Sequence, residues 1–371
     1  MVDKKILTGT SILVGTCIGA GILGIPYVAA QAGFLTAIIY IIIIGLLTYL
    51  INLYLGEVSL RTKNKHQIVG YAEKYLGKRG RRFMEFATIF GIYAAIIAYM
   101  VGVGESLSFL AIGNTSYSIF FGIFFGIIMS FLLWNGKKAL KKFEKIGVGI
   151  VLLLLIFIII FFIPSVQLNN LLGFNASNIF LPFGVILFAL MSFHAIPEIK
   201  IILGKDKKKL KKTILLGTII SIIFYILFTL IVVGFMGLGT PEVATLALGK
   251  IFIVLGILTM FTSYLSLGNS LEDDFIFDEH YRKKKSWILS SMLPIILFII
   301  IQMFDFFSFT KILSIGGVVS GGLASILILL MVRNAKKKNE RKPEYSIRIN
   351  KFIIIVLSLI FILGTIAVLF L

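Results

Sequence analysis

The chain has 371 residues, 58% of them hydrophobic and only 14% charged, so about 215 apolar side chains must be hidden from water or placed in lipid. That composition excludes a soluble enzyme, and because about twenty apolar residues cross a bilayer, the inventory suits about eleven spans. Lys and Arg outnumber Asp and Glu by 36 to 17, and the single cysteine, Cys17, excludes an internal disulfide framework and a cysteine-cluster metal site.

Apolar segments fall at 6–31, 34–58, 83–112, 117–134, 146–164, 179–203, 213–238, 248–271, 286–303, 307–332 and 352–371. They predict an all-α polytopic membrane protein with 11 transmembrane helices. The first segment follows Asp3, Lys4 and Lys5 as a signal peptide would, but its Gly- and Thr-rich centre is poorly apolar and a second span follows at once, so it reads as retained. Between spans two and three, His66–Lys78 sets Ile68, Val69, Tyr71, Ala72, Tyr75 and Leu76 among charges, the pattern of an amphipathic helix on the cytoplasmic surface or of a plain connector.

With a cytoplasmic N-terminus, 34 of the 36 basic residues fall in cytoplasmic segments, and only Lys250 and Lys311 fall outside. The expected protein is therefore a multi-pass protein of the cell membrane with its C-terminus outside. Runs such as Lys205 to Lys209 then read as topology signals that favour anionic lipid, and the net charge of +19 needs no nucleic-acid partner. The longest polar stretches, 61–82, 272–285 and 333–351, are too short to form a separate soluble domain, so function belongs inside the membrane.

Two spans are defective as helices. Span one holds five glycines between Gly9 and Gly24, and Pro26 lacks the N–H that would bond the carbonyl of Ile22. In span six Pro197 likewise frees the carbonyl of Phe193. Both interruptions end in Ile-Pro, and the five spans between their starts make span six cross opposite to span one. Matched interruptions in two oppositely oriented halves point to an inverted-repeat secondary transporter, with repeats at 1–164 and 165–332 and a basic linker and last helix at 333–371. Freed N–H groups near Gly19, Ala20 and Gly21 suit a carboxylate, and freed carbonyls at Cys17 and at Phe188 to Met191 suit an ammonium, the two charges of a free amino acid. The Gly15 and Gly19 spacing also serves close helix packing, the competing reading.

The run Gly15-Thr16-Cys17-Ile18-Gly19-Ala20-Gly21-Ile22-Leu23-Gly24-Ile25-Pro26, continuing through Gln31-Ala32-Gly33-Phe34 to Glu57, resembles the opening of the hydroxy and aromatic amino acid permease family. Ser192-Phe193-His194 before Ile196-Pro197 resembles that family's sixth span, and Thr262-Ser263-Tyr264-Leu265 its eighth. Glu198 and the acidic Glu272-Asp273-Asp274 depart from the family pattern. The resemblance implies the LeuT-type fold of the amino acid, polyamine and organocation superfamily, a 5+5 inverted repeat with broken helices 1 and 6 plus one C-terminal helix.

On that resemblance the substrate-binding candidates are Thr16, Cys17, Gly19, Ala20, Gly21, Tyr99, Phe188, Met191 and Ser192. Tyr99 would cap the carboxylate from span three, whose Gly91, Ala94, Ala95, Ala98 and Gly102 form a small-residue face; Phe188 would gate an apolar side chain or simply pack. The hydroxyls of Thr262 and Ser263 with carbonyls of Gly15 and Ile18 would make a sodium-like oxygen site, unless the hydroxyls bond back to their own helix. His194, the only histidine inside a span, suits proton coupling or a satisfied core position. Glu57, Glu105 and Glu198 read as interfacial, with gating roles at most.

The expected function is an amino acid symporter for neutral or aromatic substrates, with H+ favoured over Na+ as coupling ion and no other cofactor. It is not an enzyme, and no Gly-x-x-x-x-Gly-Lys loop makes ATP the direct energy source. The alternatives are an amino-acid-sensing receptor without transport, or a symporter for another small zwitterion.

Overall fold

The computed structural model describes residues 3–370 except 136–148, 150–152, 154, 159, 278–280 and 339, and the regular elements among the described residues are helices. The expected basic loop Lys137–Lys145 and part of span five lie outside the described residues. The helices are α1 (Lys4–Cys17), α2 (Ala20–Ala32), α3 (Phe34–Arg61), α4 (Ile68–Ile112), α5 (Ser118–Asn135), α6 (Leu181–Leu190) and α7 (Ala195–Leu203). They continue with α8 (Leu210–Met236), α9 (Lys250–Phe277), α10 (Lys283–Met303), α11 (Phe309–Lys338) and α12 (Lys351–Phe370). Among the described residues eight helical runs, α6 with α7 counted as one, are long and apolar enough to cross a membrane, nine if the bent pair α1 and α2 is one span. Two shorter apolar helices, Ser118–Trp134 and Leu155–Ser165, coincide with expected spans four and five. Leu46, Phe131, Ile160 and Phe352 stand exposed on the outer helix faces, a surface suited to lipid rather than water.

Both expected interruptions are present, but neither lies at its proline. The first is at Ile18–Gly19, where α1 and α2 meet at a bend of 54°. Pro26 sits inside α2, which runs through it. The second is the non-helical stretch Met191–His194 between α6 and α7. There Pro197 is the third residue of α7, a position whose N–H has no intrahelical partner to lose.

The His66–Lys78 segment forms its helix, and it docks on protein. Ile68, Val69, Tyr71, Ala72 and Tyr75 are buried, and Gly77 at φ +74° turns the chain from this arm into the long span. A side chain at that φ would be strained, so the corner uses glycine.

Two ends of the helix array are distinguished by their contacts. At one end Lys5 pairs with Asp206 at 2.7 Å, Lys209 pairs with Asp3, and Lys74 pairs with Glu340 at 2.7 Å. At the other, the carboxylate of Glu242 accepts the backbone N–H and the hydroxyl of Thr310, both at 2.8 Å, and caps α11. There Lys311 donates to the carbonyl of Val368 near the end of α12, 3.3 Å away. The basic segments around Lys5, Arg61, Lys200 to Lys209 and Lys336 thus share one end, opposite Lys311.

The segment 340–350 is more than a basic linker. It lies extended under α3, where the carboxylate of Glu57, fully buried, accepts Arg61 Nε at 2.9 Å, Ser346 Oγ at 2.9 Å and the N–H of Ile347 at 2.8 Å. Lys336 adds its ammonium 3.2 Å away. Tyr345 donates to the carbonyl of Leu53 at 2.8 Å, and Tyr54 donates to that of Arg348 at 3.1 Å. Glu57 is therefore a buried anchor at the basic end of the array: four donors on one carboxylate offset its desolvation.

Candidate functional site

The two interruptions leave helix ends inside the protein, and each end has a polarity. The first turn of α2 offers N–H groups and a partial positive charge; the ends of α1 and α6 offer carbonyls and a partial negative one. At the first break the N–H of Ile18 still donates to Val14, 2.8 Å away, and the N–H of Gly19 turns back to the carbonyl of Cys17 at 3.0 Å. Gly19 therefore spends its own donor within the turn. The donors without a helical acceptor begin at Ala20, whose side chain lies outside the described residues, and continue through Gly21.

Gly19 and Gly21 face different surroundings. A Cβ on Gly19 would stand 3.3 Å from the Tyr99 hydroxyl and 3.4 Å from Ser263 Oγ. A Cβ on Gly21 would fall 2.6 Å from both Cα and Cβ of Ala189 on α6. Gly19 thus opens on polar side chains of α4 and α9, whereas Gly21 is a packing glycine that lets α2 meet α6. Close packing thus falls to Gly21, whereas Gly19 borders the polar gap.

Tyr99 is buried beside Gly19, as the capping expectation requires. Ser263 faces the same gap, but Thr262 donates to the carbonyls of Leu258 and Thr259 of its own helix, each at 3.1 Å. Thr16 is likewise turned back, onto Ile12 at 2.9 Å, and is exposed. Gly15 lies in the last turn of α1, which ends at Cys17, and Ile18, buried, caps it with non-helical φ −80° and ψ 84°.

At the second break Ser192 is buried, accepts the side-chain amide of Asn52 at 2.9 Å and donates to Leu190 at 3.4 Å. His194, half-buried, stands at the start of α7 with its ring 4.4 Å from that of Phe193; no hydrogen bond to it occurs among the described residues. Phe188 and Met191 lean on the glycines of the π-helical turn Gly317–Gly322 in α11: a Cβ on Gly317 would meet Phe188 Cβ at 3.0 Å, and one on Gly321 would meet Met191 Sδ at 2.5 Å. Such turns gather at functional sites, and this one gives span six a smooth wall.

The carbonyls expected to be free are largely engaged. Tyr225 on α8, fully buried, brings its hydroxyl within 2.6 Å of the carbonyl of Cys17 and 2.8 Å of that of Ala189. The carbonyl of Phe188 accepts from Met191 at 3.2 Å. Sequence reading missed Tyr225 and Asn52, although an asparagine amid the apolar span two is an intramembrane polar group and a site signal. It also left Lys200 among the topology signals. That side chain is buried on α7, where its ammonium reaches the carbonyls of Ser59 and Thr62 at the end of α3 and the Tyr71 hydroxyl at 3.4 Å. A cation there satisfies carbonyls that the helix end leaves open. Among the described residues no group of three or more His, Cys, Asp or Glu is placed to hold a metal ion.

An all-helical polytopic membrane protein with two interrupted spans meeting at a polar gap is the class these features define. Over residues 2–240 the chain matches the family model of the tryptophan/tyrosine permease family, and it belongs to that family. It is 28% identical over 233 residues to tyrosine-specific transport system 1 of Haemophilus influenzae, covering 61% of this chain and 57% of the relative. It is 26% identical over 236 residues to glutamine transporter 2 of Aliivibrio fischeri, covering 62% and 61%, and 25% identical over 264 residues to a tryptophan-specific transport protein of Haemophilus influenzae, covering 63% and 60%. The chain thus spans about three-fifths of the length of these curated relatives. The family is one of permeases, not enzymes.

Proposed function

We propose that this protein is a secondary active transporter that moves a neutral amino acid across the cell membrane by alternating access, coupled to protons in preference to sodium. The observation that carries the reading is the first break: a helix N-terminus at Ala20 and Gly21 beside Tyr99 and Ser263, with the end of α6 alongside, where the carbonyl of Ala189 keeps a second lone pair beside the Tyr225 hydroxyl. A free amino acid brings a carboxylate for the first and an ammonium for the second. Relatives named for tyrosine, tryptophan and glutamine support a neutral amino acid without selecting its side chain.

The LeuT-type arrangement of two inverted five-helix halves, 1–164 and 165–332, with 333–371 added, is part of the same proposal. The matched interruptions support it. His194, half-buried beside the second break and without a hydrogen-bond partner among the described residues, is the proton candidate. The sodium alternative rests on Ser263 with the carbonyls of Gly15 and Ile18, and the inward-turned hydroxyl of Thr262 weakens it. In the proposed orientation the basic end of the array is cytoplasmic and the C-terminus is outside.

Counterflow exchange in proteoliposomes tests the substrate class. Vesicles preloaded with unlabelled tyrosine, tryptophan or glutamine should take up the labelled form of at least one, and the free acid should compete while its amide and ester compete at least tenfold less well. Equal competition by the amide would remove the carboxylate from the first break. Binding without exchange would favour an amino-acid-sensing receptor.

A further inference from the structure

The buried hydroxyls of α8 at Thr218, Ser221 and Tyr225 fall at helical spacing on one face. Among the described residues Thr218 has no hydrogen-bond partner, while the Tyr225 hydroxyl meets two carbonyls, one from each interrupted span. Both carbonyls are products of the interruptions. The helical donor for Cys17 would be Gly21, which the turn at Gly19 carries away, and that for Ala189 would be Phe193, which lies in the second break. A carbonyl left bare at membrane depth costs several kcal/mol; that of Cys17 accepts the N–H of Gly19 at 3.0 Å with the Tyr225 hydroxyl beside it, and the same hydroxyl serves that of Ala189.

We infer that Tyr225 is a positioning residue that ties the two helix breaks to α8 through the carbonyls of Cys17 and Ala189, and thereby sets the geometry in which the substrate is held. A phenol has one proton, so the hydroxyl donates to one carbonyl at a time or is shared between them. Either way the end of α1 and the end of α6 are drawn to one atom. The tie reaches the amide end of the gap as well, because Gly21 packs on Ala189 itself. Loosening Ala189 loosens the first turn of α2.

This inference rests on the proposed function, and its test separates the two. The probe is whichever of tyrosine, tryptophan or glutamine the wild-type protein exchanges. In Tyr225→Phe the ring remains in its packed place and only the hydroxyl is lost; the dissociation constant of that amino acid should rise about tenfold, the equivalent of about 1.4 kcal/mol. Thr218→Val, which removes an unpartnered hydroxyl two turns earlier and keeps the side chain's shape, should leave it within twofold. A role confined to stability would lower the melting temperature of Tyr225→Phe yet leave the dissociation constant of the folded protein within twofold of wild type, and that result overturns the inference alone. Hydrogen exchange on the wild type gives a reading that needs no variant: substrate should protect the amides of 17–21 and of 189–194 together. Protection of one segment without the other contradicts the tie. A wild type that exchanges none of the three amino acids sinks the proposed function and this inference with it.

Discussion

Gly19 and Gly21 stand two residues apart in one glycine-rich run, and their neighbours assign them different work. Gly21→Ala would press a methyl carbon into Ala189 at 2.6 Å, backbone included, so α2 and α6 must separate. Overpacking of this kind costs about 1–3 kcal/mol. Gly19→Ala meets the Tyr99 and Ser263 oxygens, at 3.3 and 3.4 Å, and Ser263 Cβ at 3.9 Å, side-chain atoms without backbone, and its φ of −129° is negative. The expected outcome is a lowered melting temperature for Gly21→Ala and a near wild-type melting temperature with substrate affinity reduced by tenfold or more for Gly19→Ala. Detergent-purified protein assayed by thermal unfolding and by ligand binding distinguishes them, and the opposite assignment would mean that Gly19 does not face the substrate. Composition alone could place the run in a defective helix. It could not say which glycine faces a hydroxyl and which a backbone, because that depends on α4, α6 and α9, far away in sequence. Pro197 misled for a similar reason: a missing N–H matters only where an acceptor awaits it, and there none does, whereas α2 runs on through Pro26 despite the bond lost to Ile22.

At the scale of elements, two attachments hold the basic end together, and they differ in strength. The segment 340–350 is fastened to α3 through buried Glu57. Glu57→Gln would leave Arg61 beside a neutral partner in a site closed to water, and breaking a buried pair costs about 3–5 kcal/mol. A melting temperature lowered by several degrees is expected; an unchanged one would mean that the strap adds nothing to the fold. The start of α1 is held more lightly, by exposed pairs of Asp3 with Lys209 and Asp206 with Lys5. The Lys209 ammonium lowers the pKa of Asp3 and the Lys5 ammonium that of Asp206, both below the usual 3.8. A depressed folded pKa contributes stability above 3.8 that is lost as the pH falls through the lowered value. Protection of the amides of residues 4–9, the slowing of exchange relative to the free-amide rate at each pH, should therefore hold from pH 7 to 5 and fall only below about 4. Release already at pH 6 would assign the attachment to another group. Amphipathic patterning in 66–78 was legible because buried residues there follow helical spacing. The strap was not: its anchors are Tyr345, Ser346 and a backbone N–H, and the buried carboxylate they serve lies some 290 residues upstream.

For the whole molecule, the span pattern and the gathering of basic segments at one end were legible from hydropathy and charge, since lipid constrains each segment separately. Contacts now place Lys5, Arg61, Lys200 to Lys209 and Lys336 at one end and Lys311 at the other. A reporter fused after Arg82, Lys212 or Arg341 should be cytoplasmic and one after Leu371 outside; an outside reporter at Lys212 would remove the opposed directions of the two interrupted spans. What the sequence left hidden is the polar ligature of the core. Asn52 with Ser192, Lys200 with the end of α3, and Tyr225 with both breaks each join residues more than a hundred positions apart, except where Tyr225 meets Ala189. No local pattern encodes such pairs.

Net uptake driven by an imposed gradient tests the central claim most directly. Purified protein in proteoliposomes, given labelled tyrosine, tryptophan or glutamine outside and either an inward proton gradient or an inward sodium gradient, should accumulate at least one of them above equilibrium under the proton gradient. His194→Gln should abolish that accumulation while counterflow exchange continues, and Thr262→Ala, which removes a hydroxyl bonded back to its own helix, should leave it unaltered. Accumulation that requires sodium and survives His194→Gln would contradict proton coupling, and no accumulation of any of the three under either gradient would contradict the account of this protein as an ion-coupled amino acid transporter.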